Sequence, residues 1–268
     1  MVGLPTAGKT TYLAALWNSL ESGSGKMSLS RLPESTSYLS QIREAWLQCV
    51  EIGHTTHGVI NDTILELVTP HGPISLSIPD LSGEYFRDAW EKRSWTKTID
   101  ELIQNADGLL LFLHAKVDKP VSLHDVAALA GALGGQPEVA GTSKAAWLPE
   151  DASTEVKLVD LLQLANLQRP DHRLVRLAVI VSAWDLVPGD PRPSDWLRDE
   201  LPLLTQYLEV NPTLFRHRVF GISAQGGTLT QSSELLAHAE PATRIIARDD
   251  DGQIDVTGPI NWLASSDD

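Results

Sequence analysis

The chain contains little cysteine, no long apolar run and less positive than negative charge. Cys49 is the single cysteine among 268 residues, which excludes an internal disulfide framework and favours a reducing, cytoplasmic compartment. The clearest apolar run, 109–113, suits a buried strand and is too short to span a membrane. A net charge of −14 disfavours nonspecific binding to nucleic acid or anionic lipid. We therefore expect a globular cytoplasmic protein with no membrane span and no nucleic-acid partner.

Residues 3–10 read Gly-Leu-Pro-Thr-Ala-Gly-Lys-Thr and match the phosphate-binding P-loop pattern G-x-x-x-x-G-K-[ST]. Its glycines allow a tight curl that points backbone N–H groups at phosphates, and Lys9 can reach the β- and γ-phosphates. Apolar residues at helical spacing follow, so a helix is predicted whose N-terminus favours the same anion. A glycine turn before an ordinary helix is the alternative. Only Met1 and Val2 precede the loop, which predicts a truncated first strand.

A hairpin is predicted next, because strand-forming residues flank the turn sequence Pro-His-Gly-Pro at 70–73. Its second strand alternates Ile74, Leu76 and Ile78 with serines and ends at Asp80. An Asp at the carboxyl end of such a strand can hold Mg²⁺, and Gly83 lets a backbone N–H approach the γ-phosphate. Without a P-loop upstream, the same Asp-x-x-Gly pattern would indicate only a turn.

Two later strands are predicted to deliver residues that contact a nucleotide base. The strand at 177–181 ends in Ser-Ala-Trp-Asp, which puts Asp185 where open α/β sheets bind ligands. A carboxylate there can accept from N1–H and the exocyclic amine of guanine, although Asp185 could equally form a helix cap or turn. The strand at 219–222 ends in Ser223-Ala224-Gln225, whose backbone amides can reach the base carbonyl.

Strands that alternate with helices after one hairpin predict an α/β fold with a mostly parallel sheet covered on both faces. We expect a single P-loop NTPase domain over 1–268, a three-layer sandwich with one antiparallel hairpin strand and a truncated first strand. The segment 116–151 is interpreted as an insertion, and the acidic stretch 228–257 as loosely ordered.

The order of these motifs resembles the translation-factor and Ras-like (TRAFAC) class of P-loop GTPases. More narrowly, the chain is similar to bacterial double-GTPase proteins, which are encoded beside conflict or defence modules. The residues that carry this narrower likeness are G-x-x-x-x-G-K-T-T-Y-L-A-A-L-W, a strand ending S-A-W-D-L, then G-x-S-A-x-G-G and a terminal P-x-x-W-L.

This resemblance implies a role for each motif residue. Phosphates and base would be bound by Gly3, Leu4, Pro5, Thr6, Ala7, Gly8, Lys9, Thr10, Thr11, Ser182, Trp184, Asp185, Ser223, Ala224 and Gln225. The Mg²⁺ cofactor would be held by Thr10, Asp80 and Thr56, with Thr55 as the neighbouring alternative. Lys9, Gly83, Glu84 and Thr56 would act in catalysis, Glu84 standing where Ras-like proteins have a water-orienting Gln.

The sequence departs from the usual N/T-K-x-D base-reading pattern. The Lys whose stem packs on the base is absent, so Trp184 is the candidate for apolar cover, and Gln225 replaces the Lys of the usual S-A-K turn. GTP is the expected substrate and ATP the alternative. We expect an Mg²⁺-dependent GTPase switch that turns over slowly without a protein partner. A nucleotide-binding module with little hydrolysis and a P-loop kinase are the other functions considered.

Overall fold

The central sheet brings the P-loop and the two predicted base-contacting turns, at 182–185 and 223–225, to the same edge. The computed structural model describes residues 1–52, 63–78, 83–117, 152–167 and 174–265. The strands are β1 (Val2–Gly3), β2 (Ser28–Arg31), β3 (Thr63–Thr69), β4 (Gly72–Ile78), β5 (Gly108–His114), β6 (Val175–Ser182), β7 (Phe215–Ser223), β8 (Ile246–Asp249) and β9 (Gly252–Gln253). The helices are α1 (Lys9–Ser22), α2 (Ser37–Leu47), α3 (Gly83–Lys92), α4 (Lys97–Asn105), α5 (Thr154–Leu167), α6 (Pro193–Glu200), α7 (Pro202–Val210), α8 (Ser232–Leu236) and α9 (Gly258–Ala264).

The central sheet has the strand order β1-β5-β6-β7-β8-β9. Strands β1, β5, β6 and β7 are parallel, whereas β8 and β9 each run antiparallel to the strand before them. The carboxyl ends of β1, β6 and β7 therefore meet at one edge of the sheet, where the P-loop, Asp185 and Ser223 follow them.

Side chains that alternate along the buried strands build the two cores of a three-layer sandwich. On β5, Leu110 and Phe112 pack toward α1 and α2, whereas Leu109, Leu111 and Leu113 pack toward α5, α6 and α7. A strand buried on both faces reads as a continuous apolar run, which is why 109–113 is recognisable in the sequence. The predicted α/β P-loop architecture is confirmed.

The predicted hairpin is confirmed, but it lies in a sheet of its own. Strands β3 and β4 pair antiparallel from Thr63 opposite Ile78 to Thr69 opposite Gly72. Strand β2, which we did not predict, pairs with β3 and completes a three-stranded sheet. Leu65 and Leu67 of β3 are fully buried against the α1 and α2 side of the central sheet. The hairpin therefore covers the core and adds no strand to the described central sheet.

Two stretches with a helical sequence pattern are each divided in the structure. The pattern predicts one helix over 85–104, but the structure has two, α3 and α4, with a break at Arg93, whose φ of 49° is left-handed. The pattern over 196–208 predicts a helix that Pro202 interrupts, and Pro202, which lacks an N–H, does end α6 and begin α7. No helix in the described parts of the chain is long and apolar enough to cross a membrane.

The expectation of loose order over 228–257 needs correction. This stretch contains α8, a 3₁₀ turn at Pro241–Arg244 and the edge strands β8 and β9. Its acidic residues are held by ion pairs: Arg218 pairs with Asp249 at 2.9 Å and also with Asp251. Composition alone predicted loose order here. It does not reveal that the cation that pairs with these carboxylates, Arg218, lies on β7, some thirty residues earlier. Of the predicted insertion 116–151, all but 116 and 117 lies outside the described residues.

Candidate functional site

The P-loop joins the short strand β1 to α1 and adopts an anion-binding conformation. Thr6 and Gly8 have left-handed backbones, with φ of 59° and 83°. Left-handed residues within such a turn make a concave arrangement of backbone N–H groups that favours anions. Helix α1 begins at Lys9, so its N-terminal dipole points at the same place. The predicted loop-to-helix geometry is present.

Gly8 is required for packing as well as for its backbone angle. A Cβ built on Gly8 would lie 2.7 Å from Cβ and 2.8 Å from Oγ of Ser182, at the end of β6. The P-loop thus rests directly on the strand that leads to Asp185. The Ser182 hydroxyl is buried and bonds no partner among the described residues, while its residue lines the adjoining cavity. The sequence prediction that Ser182 contacts the nucleotide stays a prediction.

Lys9 folds back over its own loop. Its Nζ donates to the carbonyl oxygens of Gly3 and Leu4 at 2.7 and 2.9 Å. The ammonium also lies 5.6 Å from the ring centroid of Phe86, on α3. Gly3 and Leu4 contribute these carbonyls and do not line the cavity, since Gly3 is buried in β1 against Phe112. A phosphate that enters the loop would replace these carbonyl oxygens as the hydrogen-bond acceptor of the Lys9 ammonium.

A cavity of about 430 Å³ runs from the P-loop to the ends of β6 and β7, and we call it the nucleotide cavity. A volume of this size falls in the range of small-molecule sites, roughly 300–1,000 Å³. It brings together predicted residues from three separate parts of the sequence. Of the predicted nucleotide-binding residues, those that line it are Pro5, Thr6, Ala7, Gly8, Lys9, Thr10, Thr11, Ser182, Asp185, Ser223, Ala224 and Gln225.

Asp185 lines the nucleotide cavity together with the P-loop residues. It follows β6 in a 3₁₀ turn, Trp184–Leu186, and its Oδ1 accepts a hydrogen bond from the Ser223 hydroxyl. The Ser223 oxygen in turn accepts from the backbone N–H of Gly226 at 3.1 Å. No other described residue bonds the Asp185 carboxylate, so Oδ2 is left to accept from a ligand. The chain thereby fixes the carboxylate in one orientation.

The structure corrects the expectation that Trp184 covers the base. Trp184 is 3% exposed and packs edge to face on Trp196 of α6, with the ring centroids 6.1 Å apart. Ala183 has a left-handed φ of 53°, and the turn it begins directs Trp184 into the core and leaves Asp185 at the cavity. The indole also lies against Gly221 of β7, where a Cβ would be 2.2 Å from its ring atoms, so Trp184 packs on the sheet.

Apolar side chains that sequence reasoning missed line the cavity near Asp185. Val50, Leu186 and Leu229 are 49%, 40% and 39% exposed, although large aliphatic residues are usually buried. They come from the segment after α2, the turn after β6 and the loop after β7. Val50 continues the helical spacing of the α2 sequence but lies beyond the last residue of that helix, Leu47. Leu186 and Leu229 lie in 3₁₀ turns, and no periodic pattern marks them. Together they offer apolar cover that the missing lysine stem would otherwise provide.

Gln225 is bonded toward the protein. Its Nε2 lies 3.3 Å from Cys49 Sγ and 3.4 Å from the Trp46 carbonyl oxygen, at the end of α2. The carbonyl of the preceding residue, Ala224, accepts from Trp46 Nε1 at 2.9 Å. The turn after β7 is therefore attached to α2, and this attachment brings 50–52 into the wall of the nucleotide cavity.

Several predicted switch and metal residues lie outside the described residues: Thr55, Thr56 and Asp80. Gly83 begins α3, and the side chain of Glu84 is not among those described. Thr10 lines the cavity one residue after the P-loop lysine, and its hydroxyl oxygen is a donor of the kind that Mg²⁺ prefers. Thr10 is thus the one predicted Mg²⁺ ligand that the structure describes, and the described residues contain no cluster of three or more His, Cys, Asp or Glu that could hold a metal ion. These site assignments otherwise stay predictions.

A P-loop on a parallel sheet, facing a fixed carboxylate across one cavity, defines a protein of the P-loop NTPase fold. The family model described as Double-GTPase 1 matches residues 1–263. The chain therefore belongs to the Double-GTPase 1 family, as the sequence motifs indicated. The comparisons with curated proteins and with solved structures gave no match.

Proposed function

We propose that the protein binds GTP with Mg²⁺ in the nucleotide cavity, hydrolyses it slowly, and acts as a nucleotide-controlled switch. The observation that carries this proposal is the cavity, which the P-loop and Asp185 line together. Gly8 of the P-loop also packs directly on Ser182, at the end of the strand that leads to Asp185. Membership of the Double-GTPase 1 family supports the same nucleotide.

The guanine assignment depends on Asp185. Guanine presents N1–H and an exocyclic amine side by side, and a carboxylate can accept from both, whereas adenine has no such donor pair. The Ser223 hydroxyl holds one carboxylate oxygen and so fixes the plane of the group. Val50, Leu186 and Leu229 are available to pack on the faces of the base. This apolar cover supports base binding although the N/T-K-x-D lysine is missing.

Phosphoryl transfer requires positioning and neutralisation of charge more than covalent chemistry by the protein. Lys9 and the N–H groups of the P-loop would bind the β- and γ-phosphates, and Thr10 with Asp80 would hold Mg²⁺. That ion, when bound, supplies further positive charge beside the phosphate oxygens. Thr56 and Gly83 would contact the γ-phosphate and lose that contact after hydrolysis, which is how GTPase switch segments respond.

Slow turnover is supported by the lack of an arginine in the described lining of the cavity and by the ion pairs of Arg93 and Arg87. Among the described residues no arginine lines the nucleotide cavity. Arg93, at the end of α3, forms a bidentate ion pair with Asp160 at 2.8 and 2.9 Å. Arg87 lies 3.9 Å from Asp88 and 4.0 Å from Glu91. An arginine supplied by a protein partner accelerates GTPases by about 10³–10⁵, so a partner is part of the proposal.

Binding of GTP and ATP with Mg²⁺ would be compared by calorimetry for the unmodified chain, Lys9→Ala and Asp185→Asn. We expect GTP preference in the unmodified chain and loss of binding of both nucleotides in Lys9→Ala. Asp185→Asn should weaken GTP and favour xanthosine triphosphate, because an amide can donate to the oxygen that replaces the guanine amine. Phosphate release measured on the same samples tests hydrolysis.

The outcomes separate the parts of the proposal. Equal binding of GTP and ATP would remove the guanine assignment and leave a P-loop NTPase. Binding without phosphate release would favour a nucleotide-binding module. Fast release by the isolated chain, unchanged by any partner, would contradict the proposed need for an activator.

A further inference from the structure

A buried guanidinium lies directly behind the wall of the nucleotide cavity. Arg244, at the end of the 3₁₀ turn Pro241–Arg244, is 4% exposed and does not itself line the cavity. It forms no ion pair with any carboxylate of the described residues, and its Nε bonds no described partner. A charge buried without a counter-ion is costly, so this position needs a reason other than the stability of the core.

The described hydrogen bonds and ring contact of the Arg244 guanidinium go to Trp46, near the end of α2, and to Cys49 just after it. Its guanidinium lies over the Trp46 ring, 4.1 Å from the centroid. One terminal nitrogen donates to the carbonyl oxygen of Trp46, and the other to Cys49 Sγ at 3.1 Å. A cation at the C-terminus of a helix interacts favourably with the unpaired carbonyls there, and the tryptophan face adds a cation–π contact. Burial lowers the pKa of the Arg244 guanidinium, so these contacts compensate for lost hydration.

The same helix end is bonded to the turn that bears Ser223. Trp46 Nε1 donates to the carbonyl oxygen of Ala224 at 2.9 Å, and Gln225 Nε2 lies within hydrogen-bonding distance of Cys49 Sγ. Gly226 packs on the backbone of Arg244 so closely that a Cβ there would lie 2.0 Å from the Arg244 oxygen. Trp46 therefore bonds the turn after β7 on one side and Arg244 on the other.

These contacts fix the position of two walls of the cavity, the turn 223–226 and the segment that begins at Val50. We call this part of the cavity, which includes Asp185, its base end. The turn 223–226 carries the Ser223 hydroxyl that orients Asp185, and Val50 follows directly after the Cys49 that Arg244 holds. The hydrogen bonds of Arg244, Trp46 and Gln225 named above join them to one another, to Cys49 and to Ala224, and the P-loop is not among these partners.

We propose that Arg244 is a positioning residue for base recognition: by holding the end of α2 against the turn 223–226, it sets the shape of the base end of the cavity. The inference rests on the proposed binding of GTP. It predicts that removal of the guanidinium weakens discrimination between bases more than it weakens the hold on phosphates.

The test compares Arg244→Met with Arg176→Met. Arg176 is a matched control, since it also stacks on a tryptophan, Trp262 at 4.6 Å, and donates to backbone carbonyls, but lines no part of the nucleotide cavity. The measured quantity is the ratio of the ATP and GTP dissociation constants with Mg²⁺. We expect Arg244→Met to raise the Kd for GTP roughly tenfold while the Kd for ATP changes little, as loss of a preorganised contact predicts. In Arg176→Met the melting temperature should fall, whereas the ratio of the two dissociation constants should equal that of the unmodified chain.

Two milder variants cover the case in which Arg244→Met does not fold. Trp46→Phe keeps an aromatic ring under Arg244 but removes the N–H bonded to Ala224 together with part of the buried indole, and Arg244→Lys keeps the charge but not the two-nitrogen contact. Both variants should lower the ratio of the ATP and GTP dissociation constants, but by less than Arg244→Met does. A folded Arg244→Met or Trp46→Phe protein with the unmodified ratio would overturn the inference while GTP binding by the unmodified chain stands. An unmodified chain that binds neither nucleotide, or both equally, would overturn the proposed GTP binding and this inference with it.

Discussion

Substitution of Gly226 by alanine tests whether the turn after β7 is pressed against Arg244 as closely as the structure describes. Gly226 has a left-handed φ of 83°, which alanine adopts at a cost of roughly 1–2 kcal/mol. The new Cβ would also lie 2.0 Å from the Arg244 carbonyl oxygen, where ordinary contact begins at 3.4 Å. The obstacle is backbone, so no side-chain rotation relieves it.

The turn must therefore move by more than an ångström, and the hydrogen bonds that hold it are at risk. These join Gly226 N to Ser223 Oγ, Ala224 O to Trp46 Nε1, and Gln225 Nε2 to Cys49 Sγ. Loss of one or two such bonds costs about 0.5–1.5 kcal/mol each. Together with the backbone term, the free energy of unfolding should fall by about 2–5 kcal/mol.

Gly23→Ala is the matched control. Gly23 ends α1 with a φ of 65°, and a Cβ there would meet nothing within 4 Å. It therefore isolates the backbone term, about 1–2 kcal/mol. For a chain of this length each kcal/mol corresponds to roughly 2–4 °C in melting temperature.

Urea unfolding and nucleotide calorimetry would be run on both variants. We expect Gly226→Ala to lose at least about 1 kcal/mol more stability than Gly23→Ala, and to lose GTP affinity that Gly23→Ala retains. Equal losses of stability in the two variants would refute the close packing of the turn on Arg244.

Two further predictions test the core and the pH response. Trp184→Phe should lower the free energy of unfolding by roughly 1–2 kcal/mol, because it removes buried ring atoms, and should leave the GTP Kd unchanged; a large change in Kd would restore Trp184 to the site. Burial lowers the pKa of His217 below its ordinary value of 6.5, although Glu209 raises it in part. The unfolded chain therefore takes up the proton first, and stability should fall as the pH drops below about 6.5. His217→Gln should show a shallower decline in urea unfolding between pH 7 and 5, and an unchanged slope would contradict this role.

Local spacing was enough to predict the features that depend on adjacent residues. The P-loop, the start of α1 at Lys9, the hairpin around Gly72 and the run of β5 all follow from steric rules and periodicity within a few residues. The sequence alone likewise determined the family, because the order of four motifs is a property of the chain.

Only the tertiary structure decided what surrounds the base. Trp184 and Asp185 are neighbours in sequence, yet Trp184 lies in the core and Asp185 lines the cavity. The turn that begins after the left-handed Ala183 directs their two side chains to different places. Arg244 donates to the Trp46 carbonyl oxygen and Trp46 Nε1 donates to the Ala224 carbonyl oxygen, although these three residues are far apart in sequence. No local pattern records such contacts, because their free energy comes from burial and hydrogen bonding that exist only when the sheet has assembled.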